Sequence, residues 1–366
     1  MDNLTHSLVA IALSRSFFKQ RVPYATTALI VAANAPDLDL VAGWSGIRTL
    51  QVHRGLTHSL LFLPVWVLLI AVGLREVARR WPGKSHRLQL GPVEGADNGT
   101  HTATAVPRVP SWGLALGLAF VGVASHLLLD LTNAYGIRLL WPLSHRWFAW
   151  DIENIFDPWI WVGLLAFLLL PMVLGLVGRE VGVKSPSRYR LSAQLALLLL
   201  IAWWGVRGYY HRRALDYLNA SLIEQQVPRA VAALPYAGDP FLWHSVVDLS
   251  DRYVLATVDA AAELRAAALP QQTLFKPEPS PALRLAESTR TGRIFLAFAR
   301  FPWANVRESA RGTAGGMTVD ITDLRFKSAD APAQMQAEIV LDPQMKVRSE
   351  GFGWRAEREA DAPESP

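Results

Sequence analysis

Four short patterns in this 366-residue chain gather side chains that bind metal ions. Asp2 and His6 are spaced i, i+4, as are His126 and Asp130, so each pair shares one helix face. Asp37 and Asp39 follow a proline in Asn34-Ala-Pro-Asp-Leu-Asp39, a spacing that suits a helix end offering two carboxylates. His53 and His58 bracket the stretch His53-Arg-Gly-Leu-Thr-His58. Imidazole and carboxylate together make a nitrogen and oxygen donor set. Zinc suits it, and manganese or iron also fits. Two such ions about 3.5–4 Å apart are a common device for hydrolysing phosphoesters. The chain has no cysteine, which excludes thiolate metal sites, disulfides and cysteine nucleophiles.

Taken singly, each pattern has a plainer reading. A lone histidine at a helix end is usually hydrogen-bonded in a core or interface. An isolated His/Asp pair is often structural, because imidazole commonly donates to a carboxylate. Pro-Asp-x-Asp alone is often a turn or a cap. Arg54 suits either an anion-binding guanidinium or an interfacial anchor. Thr57 and Ser59 suit helix caps better than nucleophiles. A metal site gains weight only if the patterns meet, since ionisable groups inside membrane spans cost several kcal/mol when unpaired.

The elements that would bring them together are apolar helices. Hydrophobic residues make up 51% of the chain and charged residues 18%, with a mean hydropathy of +0.19. That balance excludes a disordered or fibrous chain and points to a membrane protein. Trp159–Val177 is a charge-free run of spanning length. Leu191–Val206, Leu60–Leu74 and Gly113–Leu131 are further runs, the last holding His126 and Asp130. Asn3–Ser14 and Val22–Pro36 are charge-free but short, and suit either spans or helices buried among the others. The reading is a membrane bundle of about six helices over residues 1–209, four to six of them spanning. No cleavable signal peptide is visible, so the first helix is expected to be retained.

Charge sets the orientation. Residues 1–206 carry 17 Lys and Arg against 11 Asp and Glu, while the remainder carries 19 against 20. Segments 15–21, 75–111 and 178–190 hold 13 Lys and Arg, and the alternate segments 40–57 and 134–157 hold four. Cytoplasmic loops collect positive charge, so six helices with an outside N-terminus are expected. The basic surplus belongs to those loops and is not a nucleic-acid patch. All four metal-binding patterns then fall at the outer membrane face.

Residues 210–355 read as a smaller soluble α+β domain on that outer side, followed by a flexible tail at 356–366. Ala214–Gln226 and Ala260–Ala268 are helix-like. Tyr253–Val258, Ile294–Phe298, Met317–Ile321 and Ala337–Leu341 alternate as half-buried strands do. Segment 91–110, rich in Gly, Thr and Pro, reads as a flexible loop.

The motifs resemble those of the bacterial membrane-bound metal-dependent hydrolases, some of which are linked to LexA. The resemblance rests on Asp2-Asn-Leu-Thr-His6, Asn34-Ala-Pro-Asp-Leu-Asp39, His53-Arg-Gly-Leu-Thr-His-Ser59 and Ser125-His-Leu-Leu-Leu-Asp130 with Asn133-Ala-Tyr-Gly136. It covers residues 1 to about 160, and Trp141-Pro-Leu-Ser144 fits it too. Pro240-Phe-Leu-Trp-His244 and Phe301-Pro-Trp303 look like an extension that many members carry. The resemblance implies an inner-membrane, metal-dependent hydrolase. A fainter similarity to zinc-dependent phospholipases C rests on the His-x-x-x-Asp pair. Where those enzymes place a further ligand histidine, this chain has Gly136, which argues against a three-zinc centre; His145 is the substitute within reach.

The expected site therefore holds a divalent metal on His6, Asp37, Asp39, His53, His58, His126 and Asp130, with Asp2 less securely included. Asp37 or Asp39 would serve as general base and Arg54 would hold an anionic group. The substrate class is an ester or phosphoester, of small-molecule, lipid or envelope origin, met at the outer leaflet of the bilayer. The alternative is a non-catalytic membrane protein, with a structural metal or polar network and a partner-binding C-terminal domain. The charge split makes one prediction: a C-terminal reporter active only outside the cytoplasm should be active, and its cytoplasmic counterpart silent. The opposite result requires an odd number of crossings among the six runs.

Overall fold

The computed structural model describes residues 1–19, 22–42, 46–81, 109–180, 187–262, 268–308, 315–328 and 333–354. The expected tail 356–366 lies outside them, as does segment 91–110 except for its last two residues. In chain order the helices are α1 (Asn3–Leu13), α2 (Ala25–Asn34), α3 (Asp39–Ala42), α4 (Ile47–Val52), α5 (Leu63–Arg80), α6 (Trp112–Thr132), α7 (Pro158–Glu180), α8 (Ser187–Ala220), α9 (Pro281–Ser288) and α10 (Arg290–Phe298). The chain divides into two compact units. One holds Met1–Leu38, Leu56–Phe148 and Ile155–Gly205; the other holds Asp39–Gly55, Ala149–Asn154 and Val206–Pro366.

The first unit is helical. α1 starts at Asp2, whose carboxylate accepts from the backbone N–H of Thr5 at 3.0 Å and from its hydroxyl at 2.6 Å. Trp161 Nε1 on α7 reaches the same pair, 2.9 Å from Thr5 Oγ1 and 3.3 Å from Asp2 Oδ2. One face of α1 (Leu8, Val9, Ala12) packs with Ile160, Leu164 and Leu168 of α7 and Leu200 of α8. α7 has Pro158 as its first residue, and Asp157 Oδ1 accepts from the N–H groups of Trp159 and Ile160. α2, α5 and α6 meet through small residues, including Ala25, Ala28, Ala33, Ala71, Ala115 and Ala119. Small side chains let helix backbones approach closely where lipid supplies no hydrophobic drive.

Among the described residues three helices are long and apolar enough to cross a membrane: Trp112–Thr132, Pro158–Gly175 and Tyr189–Ala220. There are four if the bent pair that ends in α5 counts as one span. The sequence had suggested four to six. The shortfall lies in α1 and α2, whose 11 and 10 residues cover only about 15–17 Å at 1.5 Å per residue. A π-helical turn, Ser14–Phe18, prolongs α1, and the Tyr24 hydroxyl donates to the Trp81 carbonyl just past α5. The hairpin tip thereby reaches the end of α5 although neither helix has spanning length.

The second unit is built on two four-stranded antiparallel sheets, each a simple meander. The first runs β1 (Ala230–Pro235), β2 (Leu242–Asp248), β3 (Arg252–Asp259) and β4 (Ala268–Phe275); the second runs β5 (Pro302–Glu308), β6 (Met317–Asp323), β7 (Met335–Leu341) and β8 (Val347–Trp354). Pro235, Pro270 and Pro302 sit on β1, β4 and β5, all edge strands, where a missing N–H costs no inner ladder bond. Trp243 on β2 is fully buried with Val247, Val254 and Val258, beside Ala214 and Leu218 of α8. The expected strands near 253–258, 317–321 and 337–341 are present as β3, β6 and β7.

Two local expectations are corrected. Ile294–Phe298 is helical, because Thr289 caps α10 by accepting from Gly292 N–H and the buried Phe295 and Phe298 are one turn apart. Ala214–Gln226 is no separate helix: α8 continues to Ala220 and stops. Of the helix-like Ala260–Ala268, residues 263–267 lie outside the description, and Ala268 opens β4.

Gly122 carries the closest helix contact. A Cβ there would lie 2.4 Å from Ala32 Cβ and 3.3 Å from Leu29 Cδ2. Gly122→Ala should therefore destabilise the bundle by about 1–3 kcal/mol, the usual cost of overpacking. Gly117→Ala, where nothing lies within 4 Å, should be neutral or mildly stabilising. Unfolding in one detergent, variant against variant, checks the pair.

Candidate metal centre

Two helix ends and a short 3-10 turn meet in the first unit. Pro36 stops α2 as an α-helix, and a 3-10 turn, Ala35–Leu38, carries Asp37. His58 ends a second 3-10 turn, Leu56–His58, closed by Ser59 Oγ donating to the Leu56 carbonyl and accepting from Phe62 N–H. His126 and Asp130 lie one turn apart near the end of α6. Asn133 Oδ1 then accepts from Tyr135 and Gly136 N–H and folds the chain back. Gly136 has a φ of 77°, a left-handed conformation that glycine adopts at no steric cost. The position where the phospholipase comparison wanted a ligand is thus a turn glycine. His145 is exposed and stands outside the group.

One donor atom from each of Asp37, His58, His126 and Asp130 lies within 4.8 Å of the other three. His58 Nε2 is 3.4 Å from Asp37 Oδ1 and 3.5 Å from Asp130 Oδ2. His126 Nε2 is 3.7 Å from Asp37 Oδ1 and 3.6 Å from Asp130 Oδ2. Asp37 is 8% exposed and the other three are fully buried.

The His126 tautomer follows from its outward-facing nitrogen. His126 Nδ1 lies 2.7 Å from the Ala33 carbonyl, which can only accept, so Nδ1 carries the proton. Its Nε2 therefore turns a lone pair inward. His58 Nδ1 lies 2.9 Å from Thr57 Oγ1, and its Nε2 also points inward. The two Nε2 atoms are 3.1 Å apart. Two inward imidazole nitrogens facing two carboxylates are the donor set of a divalent cation, with the outer nitrogens already held. These residues fit a metal.

His6 backs this group. Its ring stacks on that of His126 at 4.1 Å between centroids, and its Nε2 is 3.5 Å from Asp130 Oδ1. Among the described residues neither ring nitrogen of this buried histidine makes a hydrogen bond. The Met1 backbone nitrogen also lies against Asp130 Oδ1. Asp2, by contrast, is engaged as the α1 cap, with Thr5 and Trp161 as its partners.

Asp39, His53 and Arg54 form a second group, in the second unit. His53 Nδ1 is 2.8 Å from Asp39 Oδ1, and Arg54 donates its backbone N–H to Asp39 Oδ2 at 3.2 Å. Arg54 Nε donates to His53 Nε2 at 3.3 Å, so that nitrogen accepts and Nδ1 holds the proton toward Asp39. Arg54 is 4% exposed and adopts a φ of 58°, a left-handed conformation costly for a side-chain-bearing residue. The segment is held by C-terminal elements: α4 packs on α10 and β8, and Arg290 on α10 donates to Gln51 at 3.3 Å.

The residues missed by sequence reasoning are those that orient the imidazoles. Thr57, expected as a cap, meets the His58 ring; its place beside a ligand candidate was the available signal. The Ala33 carbonyl left no signal at all, since any residue supplies one.

Comparison with known proteins bears on the helical part. The chain is 24% identical over 232 residues to the uncharacterized protein YfhP of Bacillus subtilis (strain 168), an alignment covering 61% of each chain. The chain thus spans less than two thirds of that relative's length. No solved structure matches it. The family model described as YdjM inner membrane protein matches residues 1–214, where all four of the metal-binding patterns lie. With more than half of its length so matched, and with apolar helices of spanning length, the chain belongs to the YdjM inner membrane protein family.

Proposed function

We propose that this chain is a membrane-bound, divalent-metal-dependent hydrolase acting on an ester or phosphoester at the outer face of the inner membrane. One observation carries the reading: two buried histidines, each fixed through Nδ1, turn Nε2 toward two buried carboxylates. Asp37, His58, His126 and Asp130 would hold the ion, zinc for preference and manganese or iron as fits, with His6 in reserve beside Asp130. Bound there, the cation would supply Lewis acidity and neutralise developing negative charge. The two carboxylates would offset its charge, and the Ala33 and Thr57 contacts would keep both imidazoles aimed.

Asp39, two residues beyond Asp37, is the candidate general base. The proton on His53 Nδ1 would steady the Asp39 carboxylate, and Arg54 would hold an anionic group of the substrate. The left-handed Arg54 backbone supports a dedicated role, since strained residues persist where function or packing demands them. The multi-pass arrangement and the outer placement of the C-terminal domain remain part of this proposal, resting on the charge asymmetry of the loops.

A second reading has its own observation. Four buried protein donors could close a tetrahedral site, as structural metal sites do, whereas catalytic sites keep a position open. The chain would then be a scaffold whose C-terminal domain binds a partner. Metal analysis with turnover assays separates the two. Purified protein should contain stoichiometric metal and hydrolyse some member of an ester, phosphoester and phospholipid panel, with activity lost to a chelator and restored by metal. Metal without turnover across the whole panel favours the scaffold.

Two variants sharpen the assignment. Asp130→Asn keeps the side-chain size but removes a charge, and should abolish both metal retention and hydrolysis while the protein still inserts. Full metal content in that variant would reduce Asp130 to a structural partner. Thr57→Val removes the outer contact of His58 and should weaken metal affinity by about 10–100-fold, as loss of such an outer partner does. Metal titration of the stripped protein reads that change directly.

A further inference from the structure

We infer that the α6–α7 connection and the turn before α5 form an apolar landing surface for an anionic phospholipid of the surrounding leaflet. The inference rests on the hydrolase reading only for what the surface would deliver; the surface itself stands on separate observations. Leu143 is 87% exposed, the most exposed large hydrophobic side chain among the described residues. Leu140 beside it is exposed, and so are Leu56, Leu60 and Leu61 across from it. One hydrogen bond, Leu60 N–H to the Leu139 carbonyl at 2.9 Å, ties the two stretches into one patch. His58 lies between Leu56 and Leu60, so the patch borders the candidate centre.

Depth is set by the flanking helices. α6 ends at Thr132 and α7 begins at Pro158, so the connection sits where two candidate spans leave the membrane on the same side. Phe156 and Trp159 are exposed at the start of α7, the place where aromatic belts mark the membrane interface. Two guanidinium groups complete the surface. Arg138 lies 5.1 Å over the Trp147 ring and Arg146 5.3 Å over the Phe148 ring. Guanidinium groups beside exposed leucines match a phosphodiester head with its acyl chains. The chemistry selects an amphiphile drawn from the bilayer rather than a free phosphate in solution, because a free anion has no use for five exposed leucines. The substrate class of the proposed hydrolase is then a lipid ester or phosphoester.

The absence of native cysteine allows a direct test in the full chain. Leu143→Cys and, as a control on an exposed C-terminal turn, Gln344→Cys carry an environment-sensitive fluorophore in nanodiscs of phosphatidylcholine and phosphatidylglycerol. The label at 143 should be blue-shifted and quenched by nitroxide on lipid acyl chains, and the label at 344 should show neither. A water-like spectrum at 143 overturns the inference. In parallel, phosphatidylglycerol with a photoactivatable acyl chain should crosslink within residues 56–61 and 138–148. Arg146→Glu should reduce that yield while leaving phosphatidylcholine crosslinking unchanged. Equal capture of the two lipids, insensitive to Arg146→Glu, overturns the anionic preference, and free phosphate that competes as well as the lipid overturns the bilayer source. None of these readouts needs turnover, so an inactive protein would sink the hydrolase reading while leaving the landing surface to be judged on its own.

Discussion

Two carboxylates buried among apolar helices are the constraint on which the bundle depends. Asp37 and Asp130 approach the same two imidazole nitrogens within 3.4–3.7 Å. Taking such groups out of water costs several kcal/mol each unless charge or protons compensate. Neutral imidazoles relieve part of that cost by hydrogen bonding, and a divalent cation would relieve more. The helix ends must converge with care for this to hold. α2 stops at a proline, α6 runs one turn past His126 to Asp130, and a serine-closed turn brings in His58.

The small-residue packing of α2 against α6 serves the same end. His126 takes its orienting contact from the Ala33 carbonyl on α2, and Gly122, one turn earlier on α6, is where Ala32 approaches most closely. A wider separation would lengthen the Ala33 contact and free the His126 ring to turn. Packing and donor orientation are therefore one design requirement here, not two.

Much of this was legible in the sequence, for a physical reason. Ionisable residues in apolar runs stand out, and i, i+4 spacing by itself places His126 with Asp130. Lengths were less legible: α1 and α2 carry charge-free sequence like longer spans, and only the hairpin geometry shows how short helices serve. Ile294–Phe298 reads as a strand because its apolar residues suit either period, and the Thr289 cap decides for a helix. The charge-derived topology groups Asp39 and His53 with the other ligands at one membrane face and sets Arg54 beside them. That their segment packs with α10, some 240 residues onward, rests on tertiary contacts with no local sign.

That last contact bears on how such chains can diverge. The recognisable family region ends at residue 214, yet Ile47–Val52 inside it leans on α10 and β8 beyond it. The boundary of the family match is thus not a boundary of mutual support. A relative lacking these two sheets would have to brace the stretch between its Asp-x-Asp and its histidine motif by some other means, or leave it to the bilayer. Helix α10 and strand β8 are in this sense a buttress: their loss or exchange by recombination would be felt first at Ile47–Val52, more than two hundred residues upstream.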